Sequence, residues 1–553
     1  MKKRDVLKIV IVALSIIILV FVFRFKSGGN KTALVWTYIS SDVGQVQLYN
    51  LNYEDDIKIF RGTKVKTDNE IIYNNEKSYQ KIIYNDNYYL IESDYIGDEI
   101  IKEKEVYVRT PLVLYETSDD SKIRSYIKKG EKLDIVGFDK INDDGTVNMY
   151  KVLYDGMEGF VYAKYVVLDY DLAIKNYDNG FYNVHQGRGD ILGGGNAFSL
   201  DYYPYDKPRF LNNVMPDEVR SLYINRDAIK NIDAYISLAK ETNINAFVVD
   251  IKDNTAPTYK SEVMKELSIT NYNNANMSIE EYRDAIKKLK DNNFYVIGRI
   301  TTFKDDYYAT DNKGDTIFDN RTNSPYLHNG SYWPSAYSRN VWYFNVSLAK
   351  EAVNLMGFNE IQFDYVRFPD RTSSVESYLD YKNIYGETKA EAIQRFVMYA
   401  CDELHKLGVY VSIDVFAECA HAYVTSYGQY FPAISNVADV VSAMPYPDHF
   451  NKYQYGFKDV VWTRPYDLLK HWGLNYVLKR QQETTTPAII RTWIQAYDTI
   501  YEPYITYDSN MVSDEIRGLY DASLDGGYIT WNGGSSLVKY NSLRDAFSKN
   551  YKE

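Results

Sequence analysis

Hydrophobic positions change their spacing twice along this chain. Residues 6–23, VLKIVIVALSIIILVFVF, form an apolar run broken by one lysine and one serine. The run is long enough for one helical crossing of a bilayer. Lys2, Lys3 and Arg4 precede it, so the N-terminus is expected inside and the rest of the chain outside. Bulky residues follow in FVFRFKSGGN, without the small-residue pattern of a cleavage site, which favours an uncleaved anchor over a signal peptide. From residue 31 to about 171 the pattern becomes short alternating strands separated by turn residues, with a hairpin expected at Asp155-Gly156. From Val219 onward, continuous apolar runs alternate with helical stretches: VRSLYIN, NAFVVDIKD, YVIGRIT, EIQFDYVRFP, VYVSIDVF, VVSAMPYP, AIIRTWIQAY and GGYITWN. Helices are expected near 227–241, from Ser278, and over about 389–407, with a long polar insertion between the third and fourth runs. This order predicts an α/β fold, an eight-stranded barrel with helices between the strands. An open doubly wound sheet is the alternative, disfavoured because no glycine-rich phosphate turn follows the first strand. Gly193, Gly194 and Gly195 precede the barrel and read as a loop.

The β-rich stretch contains an opening VYVR strand, a KKGEKL turn and strand, and a closing GFVYAKYV strand within residues 105–170. It resembles the bacterial SH3-like domain. Residues 31–104 repeat the logic more weakly, IESDYI standing where VYAKYV stands in the second copy. Similar modules bind cell-wall material; the alternative is a passive spacer. The expected organisation is a stub and anchor over 1–30, two SH3-like modules over 31–104 and 105–170, a connecting segment over 171–215, and a barrel over 216–553.

Composition narrows the function. Lys and Arg number 63 against 75 Asp and Glu, a net charge of −12, which argues against a nucleic-acid partner. Two cysteines and six histidines without metal spacing give no support to a disulfide framework, a zinc site or any cofactor. The 56 tyrosines suit sugar-binding clefts, although an AT-rich genome would give the same bias.

Polar residues at the strand ends carry the chemical argument, because a barrel builds its active site at the C-terminal ends of its strands. Asp250 ends the second run and Arg299 lies in the third. Asp364 ends the fourth, with Arg367 after it. Asp414 and Glu418 lie at the end of the fifth and beyond it, and Tyr446 follows the sixth. Arg491, Trp493 and Gln495 lie on the seventh, and Trp531 on the eighth. Strand alternation puts Gln362 and Asp364 on the barrel-axis face.

The run MGFNEIQFDYVRFPD is similar to the motif of a bacterial glycoside hydrolase family formerly classed as a domain of unknown function. Further matches follow in order: Ile413-Asp414-Val415-Phe416, Gly428-Gln429, SAMPYPDHF, the Arg491, Trp493, Gln495 strand and the final Trp531-Asn532. One departure is Ala443 before Met444, where the family carries proline. The resemblance spans about 219–531 and implies a TIM barrel of the α-amylase-like kind, without naming a substrate. Such chemistry needs two carboxyl groups, one protonating the leaving oxygen and one attacking or activating water. Asp364 is expected as nucleophile, Asp414 as acid/base and Glu418 as its substitute. Arg367, Arg299 or Arg491 would keep Asp364 ionised. Asp250, Arg299, Arg367, Tyr446, Arg491, Trp493, Gln495 and Trp531 would bind substrate, the aromatic rings by stacking. The expectation is a single-pass membrane protein whose extracellular barrel hydrolyses a cell-wall or surface polysaccharide without metal. A non-catalytic glycan-binding barrel and a structural scaffold are the alternatives.

Overall fold

The computed structural model describes residues 33–552. The expected anchor, residues 6–23, lies outside them. Among the described residues no helix is long and apolar enough to cross a membrane. The fold divides into two units, one of residues up to Tyr107 together with Lys132–Asp169, the other of Val108–Glu131 together with residues from Tyr170 onward.

The first unit is all-β. Residues 35–97 form a seven-stranded sheet. Its antiparallel strands bury Ile39, Val46, Leu48, Ile59, Val65, Ile82 and Ile91 on one side. In its second part, Met149–Tyr154 pairs antiparallel with Met157–Tyr162 across Asp155-Gly156. Both turn residues have positive φ, 48° and 75°, the geometry that favours Asp-Gly in a two-residue hairpin.

The second unit holds the barrel. Its strands are β1 (Val219–Ile224), β2 (Ala246–Asp253), β3 (Tyr295–Thr301), β4 (Glu360–Asp364), β5 (Tyr410–Phe416), β6 (Val440–Met444), β7 (Ile489–Ile490 and Thr492–Gln495) and β8 (Gly527–Trp531). All neighbours pair parallel, and β8 pairs with β1, Val219 opposite Gly527. The break in β7 falls at Arg491, whose N–H still donates to Val441 O on β6, 3.1 Å away. The closing seam depends on Gly527. Its φ is +106°, and a Cβ there would stand 2.0 Å from Val219 O.

Helices lie between the strands as the sequence pattern expects. Ser278 and Glu281 form a reciprocal cap on the helix Ile279–Asp291, and Thr388 with Glu391 does the same for Lys389–His405. The stretch near 227–241 is a short 3-10 turn, Ala228–Asn231, followed by the helix Ile232–Lys240. The expected polar insertion before β4 needs correction: it ends in the 18-residue helix Arg339–Met356. Asn345 interrupts that helix's apolar stripe, which hid it. The side chain is buried and donates to Val341 O, 2.9 Å away, within the helix's own first turns. A hairpin of Leu112–Tyr115 and Ile123–Ile127 also belongs to this unit. It is tied to the helix Lys389–His405 by Tyr399 Oη to Ser121 O at 2.6 Å and by Ser121 Oγ to Glu403 at 2.7 Å.

Side chains from alternate strand positions fill the barrel. Val219, Tyr223, Ala246, Val248, Tyr295, Ile297, Tyr410, Trp493 and Ile529 form its apolar packing. At the N-terminal end, Arg491 Nη1 meets Glu360 Oε1 at 2.7 Å with both side chains 0% exposed, and Tyr295 Oη donates to Glu360 Oε2 at 3.0 Å. Arg491 was expected in the substrate cleft and is not there. It enters β7 at the opposite end of the barrel from the C-terminal mouth.

Breaking a buried ion pair costs about 3–5 kcal/mol, because the surviving charge stays buried without its partner. Arg491→Leu is therefore expected to lower unfolding stability by about that amount in a urea titration. Adding Glu360→Gln should recover part of the loss, since it removes the stranded charge. Equal midpoints for wild type and Arg491→Leu would contradict a structural role for the pair.

Candidate active site

The C-terminal mouth is organised by Arg299. Its position on β3 turns it to the axis, where it is 1% exposed. Nη1 donates to Asp250 Oδ1 on β2 at 2.8 Å, and Nη2 donates to Asp364 Oδ2 on β4 at 2.6 Å. Tyr223 on β1 donates its hydroxyl to the other oxygen of Asp250. The rings of Tyr223 and Trp531 each lie 5.6 Å from the guanidinium carbon. A buried guanidinium needs such company, since desolvating an ion costs several kcal/mol unless it is paired and bonded.

Asp364 uses both oxygens as acceptors. Oδ2 takes Arg299, and Oδ1 takes the backbone N–H of Tyr365 at 2.6 Å. Tyr365 has φ +52°, a left-handed conformation costly for a bulky residue and concentrated at functional sites. Arg367, expected beside Asp364, makes its bonds instead within the loop that follows. It donates to Phe368 O at 3.0 Å and Asp370 at 3.2 Å, and it lies 4.3 Å from the Phe416 ring.

Asp414 on β5 faces the same interior, 1% exposed. Its Oδ1 accepts Gln362 Nε2 at 2.8 Å and Trp493 Nε1 at 2.9 Å, while Oδ2 is buried without a hydrogen-bond partner. Burial, and then the negative charge of Asp364, push the Asp414 carboxyl well above the usual carboxylate range. Burial likewise raises Asp250, against the pull of Arg299, to about 6. Gln429 braces the ends of β4 and β5. Its Nε2 donates to Val366 O at 3.2 Å and Asp414 O at 3.3 Å, and its Oε1 accepts Phe416 N at 3.0 Å.

The remaining expected residues divide between wall and frame. Trp531 is half-buried, its ring 4.7 Å from that of Tyr223. Tyr446 is 4% exposed, 6.4 Å from Trp531 ring to ring. Trp493 and Gln495 were expected to touch substrate, yet both are enclosed. Trp493 orients Asp414, and Gln495 spans Asp448 N at 3.4 Å and Tyr497 O at 3.1 Å. Glu418 is exposed on a short turn after β5, its oxygens receiving Tyr423 Oη at 3.1 Å and Tyr427 Oη at 3.0 Å. It lines a cleft of about 700 Å³ that also touches Phe416 and Met444, the last residues of β5 and β6.

One functional candidate escaped the sequence reading. Asp253 stands three positions after Asp250, which strict alternation would put on the opposite face. A register shift in β2 between Asp250 and Lys252 changes that. Asp253 thereby reaches the mouth, its side chain 36% exposed and 3.6 Å from Arg299 Nη1, with Thr301 Oγ1 donating to it at 2.7 Å. Burial pushes its pKa up, but Arg299 and the hydrogen bond from Thr301 pull it down by more, so the carboxyl is held below its usual range. Lys252, displaced by the same shift, pairs with Asp305 at 2.8 Å in the core.

A family model described as "Putative glycosyl hydrolase domain" matches residues 221–537. No curated protein matches. Among solved structures, a hypothetical protein from Ruminiclostridium thermocellum ATCC 27405 is 30% identical, covering 35% of this chain and 97% of its own, with a TM-score of 0.30. The PgaB (BpsB) glycoside hydrolase domain from Bordetella bronchiseptica is 12% identical, covering 60% and 99%, with a TM-score of 0.42. A Flavobacterium johnsoniae chitobiase is 11% identical, covering 60% and 48%, with a TM-score of 0.37.

Asp250 links this site to stability. Its folded value near 6 exceeds the unfolded value of about 3.9, so the folded state holds the proton more tightly. Its contribution to stability is then full below pH about 4 and is lost as pH rises toward 6. Asp250→Asn should remove that decline. Urea unfolding measured at intervals from pH 4 to pH 7 should give a less negative slope of stability against pH for the variant. Parallel curves would contradict the assignment.

Proposed function

Since the chain belongs to the family of that glycosyl hydrolase domain, we propose that it is a membrane-anchored extracellular glycoside hydrolase acting on a cell-wall or surface polysaccharide. The carrying observation is the difference between two carboxyl groups on adjacent strands. Asp364 has both oxygens engaged as acceptors, and Asp414 is pushed toward its acid form. In this reading Asp414 gives its proton to the leaving glycosidic oxygen as the bond to the anomeric carbon breaks. Asp364 meets the positive charge that develops on the sugar, attacking the anomeric carbon as nucleophile, and water later displaces it. Glu418 is the substitute acid. Asp250 and Arg299 position Asp364, and Trp531 offers a ring to the sugar.

Lys2, Lys3 and Arg4 before the apolar run support an N-in anchor. The motifs in residues 31–170 support SH3-like modules that hold the barrel against wall material. The alternative of a glycan-binding protein that does not cut has one observation in its favour: Asp414 is 1% exposed, so its proton reaches substrate only if the mouth opens.

Two measurements test this. Incubation of the full chain with purified wall glycans should release soluble sugars, and Asp364→Asn should reduce the rate by about 10³-fold or more, the scale of losing a catalytic group. Asp414→Asn should be comparably slow on natural glycans but partly rescued on aryl glycosides with good leaving groups, which need no acid. Wild-type turnover by Asp364→Asn would end the assignment of Asp364 as nucleophile, and binding without any cleavage by the wild-type chain would favour the alternative. For the anchor, protease added to intact cells should degrade the barrel; full protection would contradict the topology.

A further inference from the structure

The cleft beside Glu418 is not accounted for by the carboxylate pair. Its lining comes from the turn after β5 and from the loops after β6 and β7, including Glu418, His421, Tyr423, Tyr427, Tyr455 and Tyr501. A space of about 700 Å³ falls within the ~300–1,000 Å³ of pockets that bury drug-sized ligands, roughly two or three sugar rings.

Three features suit this wall to sugar. First, rings are presented together with hydroxyls. His421 stacks on Tyr423 with centroids 5.6 Å apart and planes 14° apart, and Tyr455 lies 4.8 Å from Tyr476 and 6.1 Å from His421. Tyrosine faces take the C–H side of a sugar while the phenol bonds to its hydroxyls. Second, Glu418 is held open. Two phenols fix its oxygens, leaving acceptor capacity on an exposed carboxylate for ligand hydroxyls. Third, Tyr455 is kept at φ +60°, an unfavourable conformation for a bulky residue that surrounding structure must impose. Tyr501 leaves 52% of its surface exposed at the rim, where an aromatic face meets solvent.

Phe416 joins this cleft to the hydrolytic centre, standing two residues after Asp414 on β5. Resting on the hydrolase reading, we infer that the cleft is a run of subsites for an extended polysaccharide, so that the site takes an internal stretch of polymer rather than a terminal sugar. A chain engaged by this wall occupies several consecutive rings to one side of Asp364 and Asp414. Affinity then grows with chain length, and cleavage falls within the polymer.

The test measures binding separately from cleavage. Full-length Asp364→Asn protein is run by affinity electrophoresis in gels containing purified peptidoglycan-derived glycan strands, β-glucan, xylan or deacetylated chitin. Size-fractionated oligosaccharides of the retarding polymer are then titrated by calorimetry. We expect one polymer to retard the protein and affinity to rise at least tenfold from disaccharide to tetrasaccharide. Tyr455→Ala and, independently, Tyr501→Ala should each remove most of that gain. Tyr501→Ala keeps the test informative if loss of the ring packing around Tyr455 prevents its variant from folding. Overturning results are retardation by none of the polymers, or length dependence unchanged in folded Tyr501→Ala and Tyr455→Ala proteins. Wild-type protein that binds polymer with this length dependence yet releases no product would refute the hydrolase reading and leave the subsites standing.

Discussion

Everything at the barrel mouth depends on one buried guanidinium. Arg299 bridges carboxylates from the strands on either side of it, 2.8 Å to Asp250 and 2.6 Å to Asp364. A charge taken from water must be matched by partners of good geometry, or the fold loses several kcal/mol. The surroundings meet that demand: Tyr223 completes Asp250, Asp253 adds a third carboxylate at 3.6 Å, and aromatic faces flank the cation. The bridge fixes Asp364 on β4 relative to Asp250 on β2, with Arg299 on the strand between them. The second oxygen of Asp364 is held by a backbone N–H whose residue accepts positive φ to supply it.

The same arrangement separates two chemically similar groups. Asp364 sits among donors. One strand over, Asp414 has both of its donors on a single oxygen and the negative neighbour Asp364 nearby. Environment rather than residue type therefore sets the two carboxyl groups apart, a difference that the proposed acid and nucleophile roles require. The enclosure of Asp414 and the openness of the cleft beside Glu418 describe a site with a tight centre and a broad approach. That form suits a polymer held at many points and strained or cut at one.

The barrel was legible in the sequence because parallel strands covered on both faces read as continuous apolar runs. An aspartate or arginine inside such a run stands out. Asp250, Arg299, Asp364 and Asp414 were found in this way, and the structure gathers them. Residues whose direction depends on something other than alternation were misplaced. Arg367 follows a left-handed turn at Tyr365, Arg491 sits at the wrong end of its strand, and Asp253 is turned inward by a register shift. None of these can be read from spacing. Trp493 and Gln495 were located on the correct strand, but their bonds to Asp414 and to loop backbone depend on packing between strands distant in sequence. The helix Arg339–Met356 was hidden by a buried asparagine that bonds within the helix itself.

The central claim is that burial and Asp364 together keep Asp414 in its acid form beyond the ordinary carboxylate range. Carbon-13 NMR of aspartate-labelled protein, with the Asp414 carboxyl assigned by its loss in Asp414→Asn, measures this directly. The account predicts a carboxyl that stays protonated at a pH where exposed aspartates have already ionised, and whose titration moves downward in Asp364→Asn. An Asp414 carboxyl that ionises together with the exposed aspartates, and does not respond to Asp364→Asn, would contradict it.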